Sequence, residues 1–286
     1  MTHIIYWAFL CPALSELFGR SCVELNVVNR QADAAFSEML RHLRRGVVTL
    51  ELRSVLEDKM TKSEAQDPED GDATLICARK EDALAYNSSR LLKFGRMYGG
   101  IHQFGSKNRF YLATDTGKKN GLLALNSDLH VSARLELSLH SRVSYRGGGG
   151  PAMADIVIVN GSTGKVVSFD AKSELPVVCF GVPGGGSIDI LCEPTAFEVP
   201  SISGGVLASR EQLPIHLSWA ITVHRCQSIS LDEVELDLLR AFCHGMVYVA
   251  TSRVRTLVGL QLRSLDLSRI VVDPAVIAFY DALQRL

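Results

Sequence analysis

The sequence predicts an α/β protein with a β-rich module inserted between two α/β segments. Three observations predict it. Residues from about 95 to 205 hold short alternating segments separated by glycine-rich turns, at Tyr98-Gly-Gly, Arg146 to Pro151 and Pro183 to Gly186. On either side, apolar residues recur at helical spacing behind clear helix-start signals. The chain of 286 residues is 47% hydrophobic and 21% charged, which is long enough for a sizeable core and too apolar for a disordered chain.

The elements follow in order. The apolar stretch from Ile4 to Leu14 has no basic region ahead of it and no small-residue cleavage site. It therefore reads as a buried first helix or strand rather than a targeting signal. Residues 22–28 alternate with β-branched side chains and predict a strand. Asp33 caps a helix whose stripe is Phe36, Met39, Leu40 and Leu43, closed by Gly46. Arg41, Arg44 and Arg45 near its end suit the helix dipole and read as a solvated helix end. Residues 61–73, with Pro68 and Gly71, read as an exposed loop. A strand over 74–78 precedes a helix over 81–92 with Leu84 and Leu91 on one face. Within the insert, 135–139, 156–159, 165–169, 176–180 and 187–191 read as strands of a small barrel or sheet. Ile215, Leu217, Trp219, Ile221 and Val223 alternate, which suggests another strand. Asp273 and Pro274 start a last helix with Val276, Phe279, Tyr280 and Leu283 on its apolar side.

Composition and motifs exclude several function classes. A net charge of −1 argues against coating nucleic acid by bulk electrostatics, though not against a local basic track. No apolar run approaches the roughly 20 residues of a membrane span. The seven cysteines are scattered and form no C-x-x-C pair, which suits a reducing compartment and argues against a disulfide framework. The eight histidines show no H-x-x-x-H spacing, so no metal site is expected. No G-x-x-x-x-G-K-[ST] phosphate loop is present. Gly161-Ser-Thr-Gly-Lys165-Val lacks its spacing and reads as a hairpin turn. No G-x-S-x-G elbow occurs, and Cys226 beside His224 lacks a third group to orient a nucleophile.

Three arginine-containing strings remain: Asn29-Arg30-Gln31, His224-Arg225-Cys226-Gln227-Ser228, and Tyr248-Val-Ala-Thr-Ser252-Arg253. Leu213-Pro-Ile-His-Leu-Ser-Trp-Ala-Ile-Thr-Val-His-Arg-Cys-Gln-Ser-Ile-Ser-Leu-Asp232 resembles A-W-A-I-T-I-H-K-S-Q-G-x-T-L-D. That pattern is the fifth motif of the petite-integration-frequency (Pif) family of DNA helicases, relatives of RecD. Tyr248-Val-Ala-Thr-Ser-Arg-Val-Arg255 resembles its sixth motif, and Val23 to Asp33 its fourth. Val159-Asn-Gly-Ser-Thr-Gly164 resembles a turn in the family's inserted barrel, and 270–280 its ending. The matches run in order over roughly residues 15 to 284.

The resemblance implies a second RecA-like helicase domain, residues 1–90 plus 206–286, with a small Src-homology-3-like β-barrel inserted at 91–205. It implies part of an ATP-dependent 5′→3′ DNA helicase serving DNA repair, recombination and replication, in the nucleus or mitochondrion. It makes Arg30 and Arg253 the arginines that meet the γ-phosphate of ATP, with Gln31 beside the nucleotide. A guanidinium suits that task because it is planar and always charged. Thr222, His224, Arg225 and Gln227 match residues that contact the backbone of single-stranded DNA. In the family a strand gives way to a helix around Trp219, which reads as core rather than a base-stacking platform.

Departures from the family pattern are also legible. Arg225, Cys226 and Ser228 replace lysine, serine and glycine; Met246 replaces glutamine; Asn29 replaces an aromatic residue. Arg79 and Lys80 stand where an asparagine is usual, while Asn87 remains. The family's first RecA-like domain, with its phosphate loop and Mg²⁺-binding carboxylates, is not in this sequence. The chain alone is therefore expected not to hydrolyse ATP, and a missing or separate first domain is the expected partner. The alternative is a catalytically dead, helicase-derived module that binds single-stranded DNA or a protein.

Overall fold

A computed structural model describes residues 8–11, 13, 16, 23–24, 31, 33–64, 73–99, 108–127, 131–147, 152–153, 156–182, 185–201, 204–227 and 229–285. The chain divides into two units, residues 1–79 with 223–286, and residues 80–222. The first unit opens with β1 (Val23–Glu24), α1 (Ala34–Arg45), α2 (Leu50–Glu64) and β2 (Thr74–Cys77). The second begins with α3 (Lys80–Gly99), β3 (Arg109–Leu112), β4 (Thr114–Gly117) and α4 (Lys119–Ser127). It continues through β5 (Arg134–Leu137), β6 (Arg142–Tyr145), β7 (Ala152–Met153), β8 (Ile156–Val157) and β9 (Thr163–Phe169). It closes with β10 (Pro176–Gly181), β11 (Ser187–Leu191), β12 (Thr195–Pro200), β13 (Val206–Gln212), β14 (Ile215–Leu217) and β15 (Ala220–Thr222). The chain then returns to the first unit with β16 (Val234–Asp237), α5 (Met246–Thr251), β17 (Leu260–Ser264), α6 (Pro274–Ala282) and β18 (Gln284–Arg285).

The first unit is built on parallel strands. β16 lies between β2 and β17, with Val234 opposite both Thr74 and Leu260. Parallel strands are usually covered on both faces, so their sequences run apolar without alternation. β2, Thr-Leu-Ile-Cys, is buried at all four positions. α2 packs on β17, and α1 on α5. α1 forms as its sequence dictates. The Asp33 carboxylate accepts from the amides of Ala35 (2.9 Å) and Phe36 (3.3 Å), and Phe36, Met39, Leu40 and Leu43 are buried. Gly46 ends the helix at φ 70°, a left-handed conformation that favours glycine. Arg41 pairs with Glu38, Arg45 with Asp281, and Arg44 lies over the Tyr280 ring, so this helix end is a solvated, ion-paired surface. Asp273 caps α6 through Ala275 N, with Pro274 at the first turn.

The second unit is rich in antiparallel strands. β6, β9, β10, β11 and β14 form one sheet in the order β11-β10-β9-β6-β14, and β12, β13 and β4 form another. Leu137, Val143, Ile158, Val166, Val178 and Phe180 are fully or almost fully buried in its main core. α4 covers a smaller cluster of Leu125, Val199 and Ala208. A Cβ at Gly117 or Gly121 would come within 2.7 Å of Ala208, so both glycines permit the backbone to approach that strand. Arg210, 2% exposed, donates from Nε and Nη2 to Asp115, from Nη2 to Asn126 and from Nη1 to the Val131 carbonyl. That bidentate partner holds the Asp115 carboxyl below its ordinary range.

Several expectations differ from what forms. The 74–78 strand and the five insert strands appear close to their expected positions. α2 was not expected, and helix continues to Glu64 in what reads as a loop; residues 65–72 lie outside the described residues. Its only buried residues among 50–60 are Leu52 and Leu56, so its apolar stripe is thin. α3 runs on to Gly99, and its buried face is Ala83, Asn87 and Leu91, while Leu84 is 54% exposed. Residues four apart share a helix face, so Ala83 and Asn87 mark it together with Leu91, and Leu84 lies off it. The turn at Asn160 and Gly161 is not a simple hairpin, because β8 pairs with β7 while β9 pairs with β6 and β10. No helix begins at Trp219; β14 and β15 flank it, and residues 223–227 form turns. Trp219 is core, stacked on Phe94 at 5.3 Å. Among the described residues, no helix is long and apolar enough to cross a membrane.

Gly259 offers a stability test. A Cβ there would overlap the Asp232 carbonyl oxygen, while the Gly259 carbonyl accepts from Val234 N at 2.9 Å. Gly259→Ala is expected to lower stability by about 1–3 kcal/mol, the usual cost of overpacking, read as a shifted urea midpoint at unchanged slope.

Candidate nucleotide and nucleic-acid site

The sixth-motif arginine sits on a short, well-anchored scaffold. Gly245 precedes α5 at φ 71°, and its amide donates to the Val271 carbonyl. Arg253 follows the helix by two residues. Its Nε donates to the Val249 carbonyl (2.7 Å) and its Nη2 to the Ser252 hydroxyl (2.8 Å). Its backbone is held as tightly: its amide donates to the Ala250 carbonyl and its carbonyl accepts from Leu231 N at 2.9 Å. Leu231 and Val254 form a parallel bridge beside it.

Gln31 completes the scaffold. It is 6% exposed, and its amide nitrogen donates to the carbonyls of Ser252 (3.2 Å) and Val254 (3.0 Å), the two residues flanking Arg253. The resemblance places this side chain beside the nucleotide; its amide donors hold the backbone that carries the arginine. Its neighbour Arg30 lies outside the described residues.

The fifth-motif residues divide between the units. Thr222 ends β15 in the second unit and is half-buried. In the first unit, His224 and Gln227 are exposed and Arg225 is half-buried, all within the 223–227 turns. Ser228 lies outside the described residues. These turns are anchored by Val223 N donating to the Cys77 carbonyl (3.1 Å) and Ile229 N to the Cys226 carbonyl (3.3 Å). Cys226 is fully buried, and its thiol donates to the Val223 carbonyl at 3.0 Å. Burial pushes this thiol up to about 12, with Arg253 pulling weakly the other way through its charge. The serine-to-cysteine departure is thus a buried packing group, consistent with its failure to look like a nucleophile. Met246 is buried at the first turn of α5.

Sequence reasoning missed one positioning residue. Asn87 donates from Nδ2 to the Ala220 carbonyl and accepts from Ala220 N at Oδ1, both at 2.8 Å. The pair fixes β15 against α3 within the second unit. The signal was Asn87 falling between Ala83 and Leu91 on the buried face of α3.

No family model matches the chain. It is 33% identical over 254 residues to the ATP-dependent DNA helicase PIF6 of Trypanosoma brucei brucei, covering 87% of this chain and 30% of that protein. The Pif1 helicase of Candida albicans superposes with a TM-score of 0.69 at 25% identity, over 90% of this chain and 59% of that one. A Bacteroides Pif1 helicase in complex with ADP-AlF3 and ssDNA superposes at 0.60 and 23% identity, over 91% and 56%. The chain belongs to the Pif1 helicase family. It corresponds to the C-terminal part of such a helicase and spans between 30% and 59% of the length of these relatives. Its mixed α/β fold is that of the RecA-like Pif1 structures.

Arg253 is a guanidinium on a rigid mount, suited to a phosphate oxygen. Among the described residues, no group of three His, Cys, Asp or Glu side chains is placed to hold a metal ion.

Two measurements check this geometry. Gln31→Ala leaves two buried carbonyls without their donor and is expected to cost about 1–3 kcal/mol of stability in urea unfolding. Cys226 is expected to resist a thiol reagent at pH 8 in the folded protein and to react once the chain is unfolded. Because its folded pKa is raised from an ordinary value of 9.0, its contribution to stability is complete below about pH 9 and is lost between there and about pH 12. Midpoints in urea across pH 8–11, compared with Cys226→Val, read that loss.

Proposed function

We propose that this chain is the second motor domain of an ATP-dependent 5′→3′ DNA helicase acting in DNA repair, recombination and replication. Residues 1–90 with 206–286 would be the second RecA-like domain, and 91–205 an inserted Src-homology-3-like barrel. The location we propose is the nucleus or mitochondrion. The observation that carries the reading is the mount of Arg253. Its backbone and side chain are fixed by Ala250, Val249, Ser252 and Leu231, with Gln31 bonded to the carbonyl on either side. A transition state that spreads charge over phosphoryl oxygens rewards an arginine already in place.

In this reading Arg253, with Arg30, meets the γ-phosphate. ATP supplies the phosphoryl-transfer chemistry, with Mg²⁺ and the phosphate loop held by a first RecA-like domain. Thr222, His224, Arg225 and Gln227 hold the backbone of single-stranded DNA. Support for a nucleotide and DNA comes from the Bacteroides relative, solved with ADP-AlF3 and ssDNA. Support for coupling comes from the short link from the 223–227 turns to Leu231, whose amide holds the Arg253 carbonyl.

The purified chain is expected to bind single-stranded DNA with an affinity that falls steeply with salt, and to show no ATPase activity with or without DNA. Fluorescence anisotropy from 50 to 200 mM salt and a phosphate-release assay measure both. DNA-stimulated hydrolysis by this chain, abolished by Arg253→Ala, would overturn the division of labour. Absence of DNA binding at low salt would remove the DNA contacts.

A further inference from the structure

Phe242 is a large apolar side chain, 54% exposed, and two other functional groups converge on its ring. The Arg79 guanidinium carbon lies 5.2 Å from the ring centroid. The His224 imidazole lies 6.2 Å away at an interplanar angle of 33°. An isolated exposed apolar residue needs no explanation. An exposed ring gathered with a guanidinium and a DNA-motif histidine is a different feature.

The fold gathers them from three separate segments of the first unit. Arg79 stands two residues beyond the end of β2. Phe242 lies between β16 and α5, just past Ala241, whose amide donates to the Leu238 carbonyl. β2 and β16 are parallel, with Cys77 opposite Asp237 and Ala78 N donating to the Asp237 carbonyl. Both segments therefore leave the same carboxyl edge of the sheet. Val223 N, bonded to the Cys77 carbonyl, brings His224 to that edge too. Open α/β sheets bind ligands outside the carboxyl ends of their strands.

We infer that Phe242 is a stacking platform for one base of a single strand, with Arg79 meeting an adjacent phosphate. This rests on the proposed DNA contact of His224 and adds a base contact to what is otherwise backbone binding. Every base has a π-face, so the contact is indifferent to sequence. Arg79, one of the departures from the family pattern, supplies the charge.

The test is anisotropy of the whole chain on a fluorescein-labelled dT₁₀ and on an abasic strand of the same length. Phe242→Ala and Phe242→Leu are each expected to weaken dT₁₀ binding at least about fivefold, with Phe242→Tyr near wild type. Neither change should alter binding of the abasic strand. Arg79→Ala should lower the salt slope on both strands by roughly 0.7, one phosphate contact. Unchanged dT₁₀ affinity in Phe242→Ala, or equal loss on both strands, would overturn the platform while leaving backbone binding intact. If the wild-type chain bound neither strand at low salt, the platform and the DNA reading would fall together. Thermal midpoints of the variants within a few degrees of wild type would confirm that a loss of affinity is not a loss of fold.

Discussion

The rest of the candidate site depends on how the backbone around Arg253 is held. A guanidinium on a long side chain has many rotamers, and ordering it at the moment of binding is costly. Here the order is built in beforehand. Gln31 contributes one amide group that holds two carbonyls, one on each side of the arginine. Leu231 holds the arginine's own carbonyl, and Val249 accepts from its Nε. These partners come from three parts of the chain, so the arginine's position depends on three segments of the first unit coming together.

That dependence explains the chemistry near it. Cys226 and Met246 are buried beside this scaffold, where the resemblance would place serine and glutamine. A buried thiol is a small hydrophobe with a weak donor, and Cys226 uses that donor on the Val223 carbonyl. The turns that carry His224 and Gln227 are therefore fixed from inside, by packing and backbone bonds, while their polar side chains face out.

Much of the fold was legible in the sequence, for identifiable reasons. α1 could be read residue by residue, because Asp33, its four-residue stripe and Gly46 each act locally. Short strands bounded by glycine were legible because turns are set by local φ preferences. α2 was not, since only Leu52 and Leu56 mark its inner face and the rest is charged. The face of α3 was misjudged because its key residue is a polar one, Asn87, buried to satisfy a strand over 130 residues away. Arg30 and Gln31 illustrate the limit of motif reading. Adjacent in one motif, they invite one role, and nothing in that motif announces that the Gln31 amide also bonds the backbone on both sides of Arg253. Spacing along a chain cannot tell a ligand contact from a scaffold contact when both use the same amide.

The Asn87–Ala220 pair has a consequence for how the chain reaches its native state. Thr74 must find Val234 to begin the parallel pairing of the first unit. Joining two points about 160 residues apart in a flexible chain costs on the order of 4–5 kcal/mol of closure entropy. The intervening unit begins with α3 and ends with β15, and Asn87 joins those two elements by a pair of 2.8 Å bonds. Once that unit folds, its entry and exit strands of chain are already side by side. A long-range encounter becomes a short-range one whenever the segment that interrupts the sheet assembles first.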